Sequence, residues 1–317
     1  MSAYYPRAFL AFALLTLGGL VACAPVQTET PVAQVDTAEK PAPPPYVPSA
    51  ASQAARAHYA AVQADLLSRG LLRTDGGVTD APFTDRMLAD NFVRIALYDE
   101  YSRGTSGGLI AQPAQSTLRR WDQPVRVALR FGASVSPERQ ATDRARVGSF
   151  LARLQQISGH SIRLSDTQPN FFIYIVDEDE RRALGPAIKA ALPGLSAIDT
   201  AGITDMPRST YCLVYAMSGT GKGGYTRAMA VIRAEHPDLM MLSCIHEEVT
   251  QGLGLANDSP VARPSIFNDD EEFALLTPMD ELMLKMLYNP ALRTGITESE
   301  ARPIVDQLAA GLVGGSI

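Results

Sequence analysis

One short segment, residues 247–258, concentrates side chains whose oxygen atoms could do chemistry. Carboxylates stand at Glu247, Glu248 and Asp258, and carboxamides stand at Gln251 and Asn257. If a metal binds here, these oxygen donors suit a hard cation better than zinc. Without a metal, Glu248 has no Lewis acid beside it to polarise a carbonyl group or activate a water molecule. The same side chains could instead form a hydrogen-bond network that only holds a helix and the turn after it.

The spacing of these residues resembles the zinc-binding helix of metzincin metalloproteases, H-E-x-x-H-x-x-G-x-x-H. In that motif three histidines bind zinc, the glutamate is the general base, and the glycine ends the helix so that the third histidine returns to the metal. The resemblance places Glu247, Gln251 and Asn257 at the ligand positions, Glu248 at the base and Gly254 at the break, where positive φ is expected. All three histidines are replaced. The resemblance therefore implies a metzincin-like fold and argues against zinc-dependent activity.

A second register also begins an H-E-x-x-H string, at His246. Four positions later stands Thr250, so this register supplies a single histidine ligand. The other histidines of the chain are His58, His160 and His236. A three-histidine zinc site would need almost all of the histidines in the chain. We therefore expect no cofactor. The alternative is a divalent cation bound by oxygen atoms.

The N-terminus has the pattern of a secretory signal peptide over residues 1–22. Arg7 precedes an apolar run, Ala8–Val21, that ends in Leu-Val-Ala-Cys. This tetrad resembles a bacterial lipobox, which implies a lipid on Cys23 and, with Ala24 after it, sorting to the outer membrane. A plain signal peptide or a signal anchor is the alternative. We expect a protein held by its lipid at the periplasmic face of the outer membrane, since no other apolar run is long enough to span a bilayer.

Residues 23–49 form the lipidated cysteine and a tether rich in Pro, Ala, Thr and Val, including Pro43-Pro44-Pro45. Such a composition cannot bury a core and favours extended polyproline conformation. The chain carries a net charge of −6. We therefore expect no nucleic-acid partner, because phosphate contacts depend on clustered Lys and Arg.

Two cysteines remain after Cys23, at positions 212 and 244. An even pair in an oxidising periplasm suggests a Cys212–Cys244 disulfide between a predicted strand and the start of the motif helix. Two buried free thiols are the alternative.

Periodicity divides the rest into an N-terminal helical region, residues 50–118, and a second region, residues 119–317, that contains the motif. Helices are predicted over Ala51–Leu72 and from the N-cap Thr84. The second region is predicted to hold strands at 125–131, 162–164, 171–176, 211–217 and 225–234, and helices at 136–157 and 179–192, around the motif, at 277–288 and from 297. This arrangement predicts an α+β fold in which a mixed twisted sheet, the motif helix and C-terminal helices form a metzincin-like domain.

Residues 219–224 match the string G-x-G-x-x-G, but a strand pattern follows them. A nucleotide site needs a helix there to hold phosphate at its N-terminus, so a flexible hairpin is predicted instead.

The segment from Cys244 to about Pro303 also resembles an uncharacterised family of bacterial envelope lipoproteins, itself similar to a degenerate branch of the metzincin-like clan. The resemblance implies a fold and a location without an established activity. Two functions are compatible with it. The first is a non-catalytic pseudo-protease that binds a polypeptide of the envelope. The alternative is a divergent metal-dependent hydrolase with Glu248 as base and Glu247, Gln251 and Asn257 as ligands.

Overall fold

A five-stranded mixed sheet lies at the centre of the computed structural model, which describes residues 46–103, 109–219 and 223–314, with the backbone alone for 100–103 and 109–113. The strands are β1 (Tyr98–Arg103), β2 (Leu109–Gln115), β3 (Val125–Phe131), β4 (Ile162–Leu164), β5 (Phe171–Val176), β6 (Cys212–Ser218) and β7 (Tyr225–Arg233). The order in the large sheet is β4-β3-β5-β7-β6. Its first four strands are parallel, and β6 runs antiparallel to β7 at one edge. β1 and β2 form a separate antiparallel hairpin.

Helices surround this sheet on both faces. They are α1 (Ala50–Ser68), α2 (Asp85–Ala96), α3 (Pro137–Ser158), α4 (Glu178–Arg182), α5 (Gly185–Ala191), α6 (Ala197–Thr204), α7 (Asp238–Gln251), α8 (Pro278–Leu287) and α9 (Glu298–Val313). The predicted N-caps function as such, because Thr84, Ser136 and Thr277 each accept a hydrogen bond from a backbone N–H of the first turn. The predicted α+β class is confirmed.

The alternation of side chains along the central strands builds a core on each face of the sheet. In β5, Phe171, Ile173 and Ile175 belong to the larger core, which α3, α7 and α8 cover. The intervening Phe172, Tyr174 and Val176 belong to a smaller core under α5 and α6. Both faces of the strand are therefore covered, which explains why it consists of aliphatic and aromatic residues only.

The helix α2 shares the larger core with the sheet. Its residues Leu88, Phe92 and Ile95 are fully buried in the same cluster as Val127 and Ile173. The sequence-based boundary between residues 118 and 119 therefore does not separate two cores.

Several elements differ from the prediction. One helix was predicted over residues 179–192, but the chain forms α4 and α5 with a break between them, at Ala183 and Leu184. The helix α6 and the β1–β2 hairpin were not predicted. The strands on either side of the glycine-rich loop pair as a hairpin, as expected.

The signal peptide, Cys23 and the tether up to residue 45 lie outside the described residues. Within the described ranges, no helix is both long enough and apolar enough to cross a membrane.

Candidate functional site

A cleft of about 1010 Å³ opens between the edge strand β6, the helix α7 and the segment 194–210 that contains α6. The strand contributes residues 212–217 to its lining. The helix and the turn after it contribute Glu247, Glu248, Gln251, Ala256 and Asp258. The residues singled out by sequence therefore lie mostly at one cavity.

The helix α7 presents its polar residues to the cleft because its apolar residues face the sheet. Met241, Ile245 and Val249 are buried in the larger core. Glu247 and Gln251 are one helical turn apart and so project from the same side. Glu248 is 3% exposed and also lines the cleft.

Two hydrogen bonds to carbonyl groups just after α7 fix the start of the turn that follows the helix. Trp121 donates its indole N–H to the carbonyl oxygen of Gly252 over 2.8 Å, and Tyr288 donates its hydroxyl to that of Leu253 over 3.0 Å. Carbonyl groups at and just after a helix end lack partners within the helix, and these side chains supply donors to two of them. They also fix where the following turn begins.

Gly254 lies three residues after the last residue of α7 and has φ of +128°, a positive value as predicted. This backbone conformation favours glycine. A Cβ atom added at Gly254 would overlap the carbonyl oxygen of Arg119. Glycine is therefore required here both by the backbone angle and by close packing.

Asn257 and Asp258 differ in where they point. The side-chain Nδ2 of Asn257 donates a 2.8 Å hydrogen bond to the carbonyl oxygen of Arg94, at the end of α2. The backbone N–H of Asn257 donates to the carbonyl oxygen of Ile95. Asn257 does not line the cleft, whereas Asp258 does and accepts a 3.0 Å hydrogen bond from Nε2 of Gln251. The structure thus brings Glu247, Glu248, Gln251 and Asp258 to one cavity. Asn257, which was predicted to join the first three, lies at the end of α2 instead.

A three-imidazole zinc site does not fit this chain. No histidine lines the cleft among the residues that the structure describes. His246 is buried in the core, where its Nδ1 accepts the backbone N–H of Leu276 over 3.1 Å and its ring stacks on Phe150. Burial lowers the pKa of His246 to about 3, so the ring stays neutral.

One group of potential metal donors occurs among the described residues. The Sγ of Cys212 and carboxylate oxygens of Glu247 and Glu248 lie within 4.8 Å of one another. The sulfur of Cys212 is bonded to Cys244, however, and so offers no thiolate to a metal. Two carboxylates remain of this donor set.

The predicted Cys212–Cys244 disulfide is confirmed, with 5.9 Å between the Cα atoms. Cys212 is on β6 and Cys244 is on α7, so the bond joins two walls of the cleft. It therefore fixes the distance between the strand edge and the helix that carries the carboxylates.

A buried carboxyl supports the segment after the motif. Asp280, near the start of α8, accepts the hydroxyl of Ser265 over 2.6 Å and the backbone N–H groups of Ile266 and Thr277. Burial raises the pKa of Asp280 to about 6 despite these donors. It holds the turn at residues 265–266 against α8, away from the residues that line the cleft.

The third wall of the cleft was missed from sequence. It includes Ile198 and Asp199 of α6, and Arg119 lies nearby, paired with Asp99. The hydroxyl group of Ser196 accepts the backbone N–H of Asp199 over 3.0 Å. This N-cap with an acid three residues later is a helix-start pattern that could have revealed α6.

Comparison with known proteins places the chain in a family. A match to the family described as "Protein of unknown function (DUF2927)" spans residues 85–307, which is more than half of the chain and includes α2, the sheet, the motif helix and most of α9. The chain therefore belongs to this family. No match was found among curated proteins or solved structures.

Proposed function

We propose that this member of the DUF2927 family is a non-catalytic binding protein of the cell envelope, and that its cleft holds an extended segment of another polypeptide. The observation that carries the proposal is the position of β6, an edge strand that forms one wall of a large cleft. An extended peptide can add to such an edge through main-chain hydrogen bonds and place alternate side chains into pockets.

The strand is suited to this role by its partial exposure. Among the described residues it pairs only with β7. Residues 212–217 are each half-buried, with Cys212, Val214 and Ala216 packed against the larger core and Leu213, Tyr215 and Met217 against the smaller one. Both rows of side chains are held in place, which keeps the strand edge rigid. A preorganised edge lowers the entropic cost of binding.

The donor chemistry favours binding over hydrolysis. The described lining of the cleft has two adjacent carboxylates on α7 and a disulfide sulfur, and it has no imidazole. A metal-dependent peptidase requires a site that holds a Lewis acid beside the general base. The donor set around Glu248 is weak for holding a metal ion. The hydrogen bond between Gln251 and Asp258 gives these two residues a structural role in the turn after α7.

The order of elements supports a metzincin-like ancestry for this domain. The strand β3, the helix α3 and further strands precede α7, and a glycine turn ends that helix. This order and the spacing of residues 247–254 support a pseudo-protease that lost the zinc ligands. The position of Asn257 counts against this ancestry, because the residue contacts the end of α2 and does not line the cleft. The lipobox-like tetrad that ends at Cys23 supports anchoring of the protein at the periplasmic face of the outer membrane.

A peptide-binding experiment tests the function. The full chain, purified from membranes in detergent, is panned against a phage-displayed library of random peptides of seven residues, the length of β6. We expect panning to enrich peptide sequences that bind. Mass spectrometry should show that the enriched peptides stay intact after incubation with the protein. The variant Glu248→Gln should keep the affinity for an enriched peptide, because the glutamate is not needed as a base.

A matched pair of surface variants locates the site. Ile198 lines the cleft and is 52% exposed, whereas Val261 is 59% exposed and lies outside it. Ile198→Asp should weaken peptide binding, and Val261→Asp should leave it unchanged. If the wild type cleaves the peptides and the Glu248→Gln variant does not, the binding proposal is wrong and the protein is a hydrolase.

A further inference from the structure

We propose that α1 holds one wall of the cleft in place, and that α1 docks on the domain with a proton held between Glu235 and Asp177. This inference rests on the proposed function and specifies how the same site is regulated. The helix α1 follows the predicted tether in the sequence and precedes residues 85–307, which match the family. Along the chain, it therefore stands between the predicted membrane anchor and the elements that form the cleft.

The helix α1 contacts two walls of the cleft. Tyr59 is fully buried and donates its hydroxyl to the carbonyl oxygen of Arg208 over 3.1 Å, in the segment 194–210 that forms the third wall. The side-chain oxygen of Gln63 accepts the backbone N–H of Met240 over 3.2 Å, in the first turn of α7. Such N–H groups lack partners within their own helix. Departure of α1 would therefore release both the third wall and the start of α7.

The apolar packing of α1 is separate from the rest of the domain. Its buried side chains form a small cluster with Leu72, Met240 and Ala274, and this cluster shares no buried residue with either core of the sheet. Undocking of α1 would open this cluster and leave both cores of the sheet closed. A local opening of this kind costs less free energy than global unfolding.

The start of α1 closes over two buried carboxyl groups. The hydroxyl oxygen of Ser52 lies 2.9 Å from Oε1 of Glu235 and 3.1 Å from Oδ2 of Asp177, and all three residues are almost fully buried. A serine hydroxyl has one proton to donate. If both carboxyl groups were ionised, one of these two contacts would contain no proton. A proton on Glu235 fills both contacts, because Glu235 then donates to Ser52 and Ser52 donates to Asp177.

In the part of the chain that the structure describes, no arginine pairs with Glu235. Arg181 and Arg233 each donate to Oε2 of Glu178 over 2.9 Å. The other side-chain nitrogens of Arg233 donate to carbonyl groups within residues 206–210. The Oε2 atom of Glu235 accepts no hydrogen bond among the described residues. Burial raises the pKa of Glu235, which favours its protonated form.

Docking of α1 should weaken as the pH rises. Undocking exposes Glu235 and returns its pKa to the ordinary value, so the docked state binds the proton more tightly. The advantage of docking is fully present below the ordinary pKa of glutamate and is lost as the pH rises through the raised pKa. The remaining titratable groups around the pair are Tyr46, Tyr59, Glu180 and His236. Burial lowers the pKa of His236 to about 4, so this ring is neutral above about pH 5.5.

Hydrogen exchange of the full chain tests the coupling between α1 and the cleft. The heptapeptide most enriched in the panning experiment is added, and mass spectrometry follows the backbone amides of α1. If undocking of α1 weakens peptide binding, the bound peptide must favour docking by the same factor, and we expect exchange from α1 to slow about tenfold. The helix α9 contributes no residue to the lining of the cleft and is the internal control. Exchange from α1 that ignores the peptide would overturn the coupling and leave the binding function standing.

Two variants test the docking contact itself. Ser52→Ala removes the hydroxyl between the carboxyl groups and should speed exchange from α1 about tenfold. Ser68→Ala is the matched control, because Ser68 is exposed on the same helix and donates to the carbonyl oxygen of Asp65. Glu235→Gln keeps an acceptor oxygen without the charge. After correction for intrinsic exchange rates, protection of α1 should fall about tenfold between about pH 6 and 8 in the wild type and stay level in Glu235→Gln.

The outcomes separate the parts of the inference. Equal pH profiles of α1 protection in the wild type and Glu235→Gln would overturn the proton-linked docking. Failure of every library peptide to bind would overturn the proposed function and, with it, the coupling to the cleft.

Discussion

The indole N–H of Trp121 donates a hydrogen bond to the carbonyl oxygen of Gly252, with 2.8 Å between the nitrogen and the oxygen. Trp121 is 1% exposed and its ring stacks on Phe171 of the central strand β5. The end of α7 is thereby attached to the sheet, and the turn that carries Asp258 starts from a fixed point. The position of Asp258 in the cleft therefore depends on this contact.

Replacing Trp121 with Phe should lower the free energy of unfolding by about 1–3 kcal/mol, because a buried carbonyl group loses its donor. Tyr288→Phe removes the hydroxyl donor to Leu253 and should cost about 1 kcal/mol. Denaturant unfolding followed by circular dichroism measures both. Wild-type stability in Trp121→Phe would mean that the carbonyl group of Gly252 needs no donor.

Gly254→Val should destabilise the domain strongly, since the residue has φ of +128° and a side chain would overlap the carbonyl oxygen of Arg119. We expect a loss of about 3 kcal/mol or more. Gly311→Ala in α9 is the control, because a Cβ atom there meets no atom within 4 Å. Equal melting temperatures for Gly254→Val and the wild type would contradict the strained turn.

Loss of the disulfide should weaken both stability and binding. The bond closes a loop between residues 32 apart in sequence, and the chain-entropy estimate for such a loop is about 3–4 kcal/mol. We expect Cys212→Ser with Cys244→Ser to lower unfolding stability by up to this amount and to weaken peptide affinity, because β6 and α7 lose their covalent link. Unchanged peptide affinity in a folded double variant would show that packing alone sets the width of the cleft.

Stability should fall in acid through two buried histidines. Burial lowers the pKa of His236 to about 4 and that of His246 to about 3, from 6.5. The unfolded chain therefore binds these protons first, and stability is lost as the pH falls from about 6.5 toward these values. Each histidine contributes a slope of up to about 1.4 kcal/mol per pH unit.

The variants His236→Gln and His246→Gln isolate this effect. Urea unfolding from pH 7.5 to 4.5 should show a shallower decline for each variant than for the wild type. Asp280 acts in the opposite direction, because its pKa is raised to about 6 and its contribution is lost as the pH rises toward that value. Asp280 is present in the wild type and in both variants, so its contribution cancels when the free energies of unfolding are subtracted. Parallel curves would show that neither histidine takes up a proton on unfolding.

The sequence-based prediction of a lipid on Cys23 is tested in cells. The wild type should incorporate a labelled fatty acid, stay with membranes and resist extraction by salt, because the anchor is hydrophobic. Cys23→Ser should lose the label. Protease treatment of opened envelopes should release a compact fragment beginning near residue 50, since segments without a core are cut first. Absence of label in the wild type would remove the prediction of an anchor.

Local patterns in the sequence were enough to predict most elements. The bounds of β3, β4 and β5 agree with the prediction. β5 is a short apolar run, β3 and β4 place arginines between apolar residues, and turn residues bound all three. The capped starts of α8 and α9 and the positive φ of Gly254 were also predictable, since they depend on residues within one turn of each other. The pairing of Cys212 with Cys244 was predicted because two cysteines remain once Cys23 is set aside as the predicted lipid site.

The cleft itself depended on the tertiary structure. Sequence spacing put Asn257 at the third position of the motif, but the turn after Gly254 directs this side chain to the end of α2 and brings Asp258 to the cavity. The wall around α6 is about fifty residues away along the chain and carries no pattern that links it to α7. Spacing determines which side chains share a helix face, whereas the direction of a side chain after a turn and the approach of distant segments depend on packing between elements.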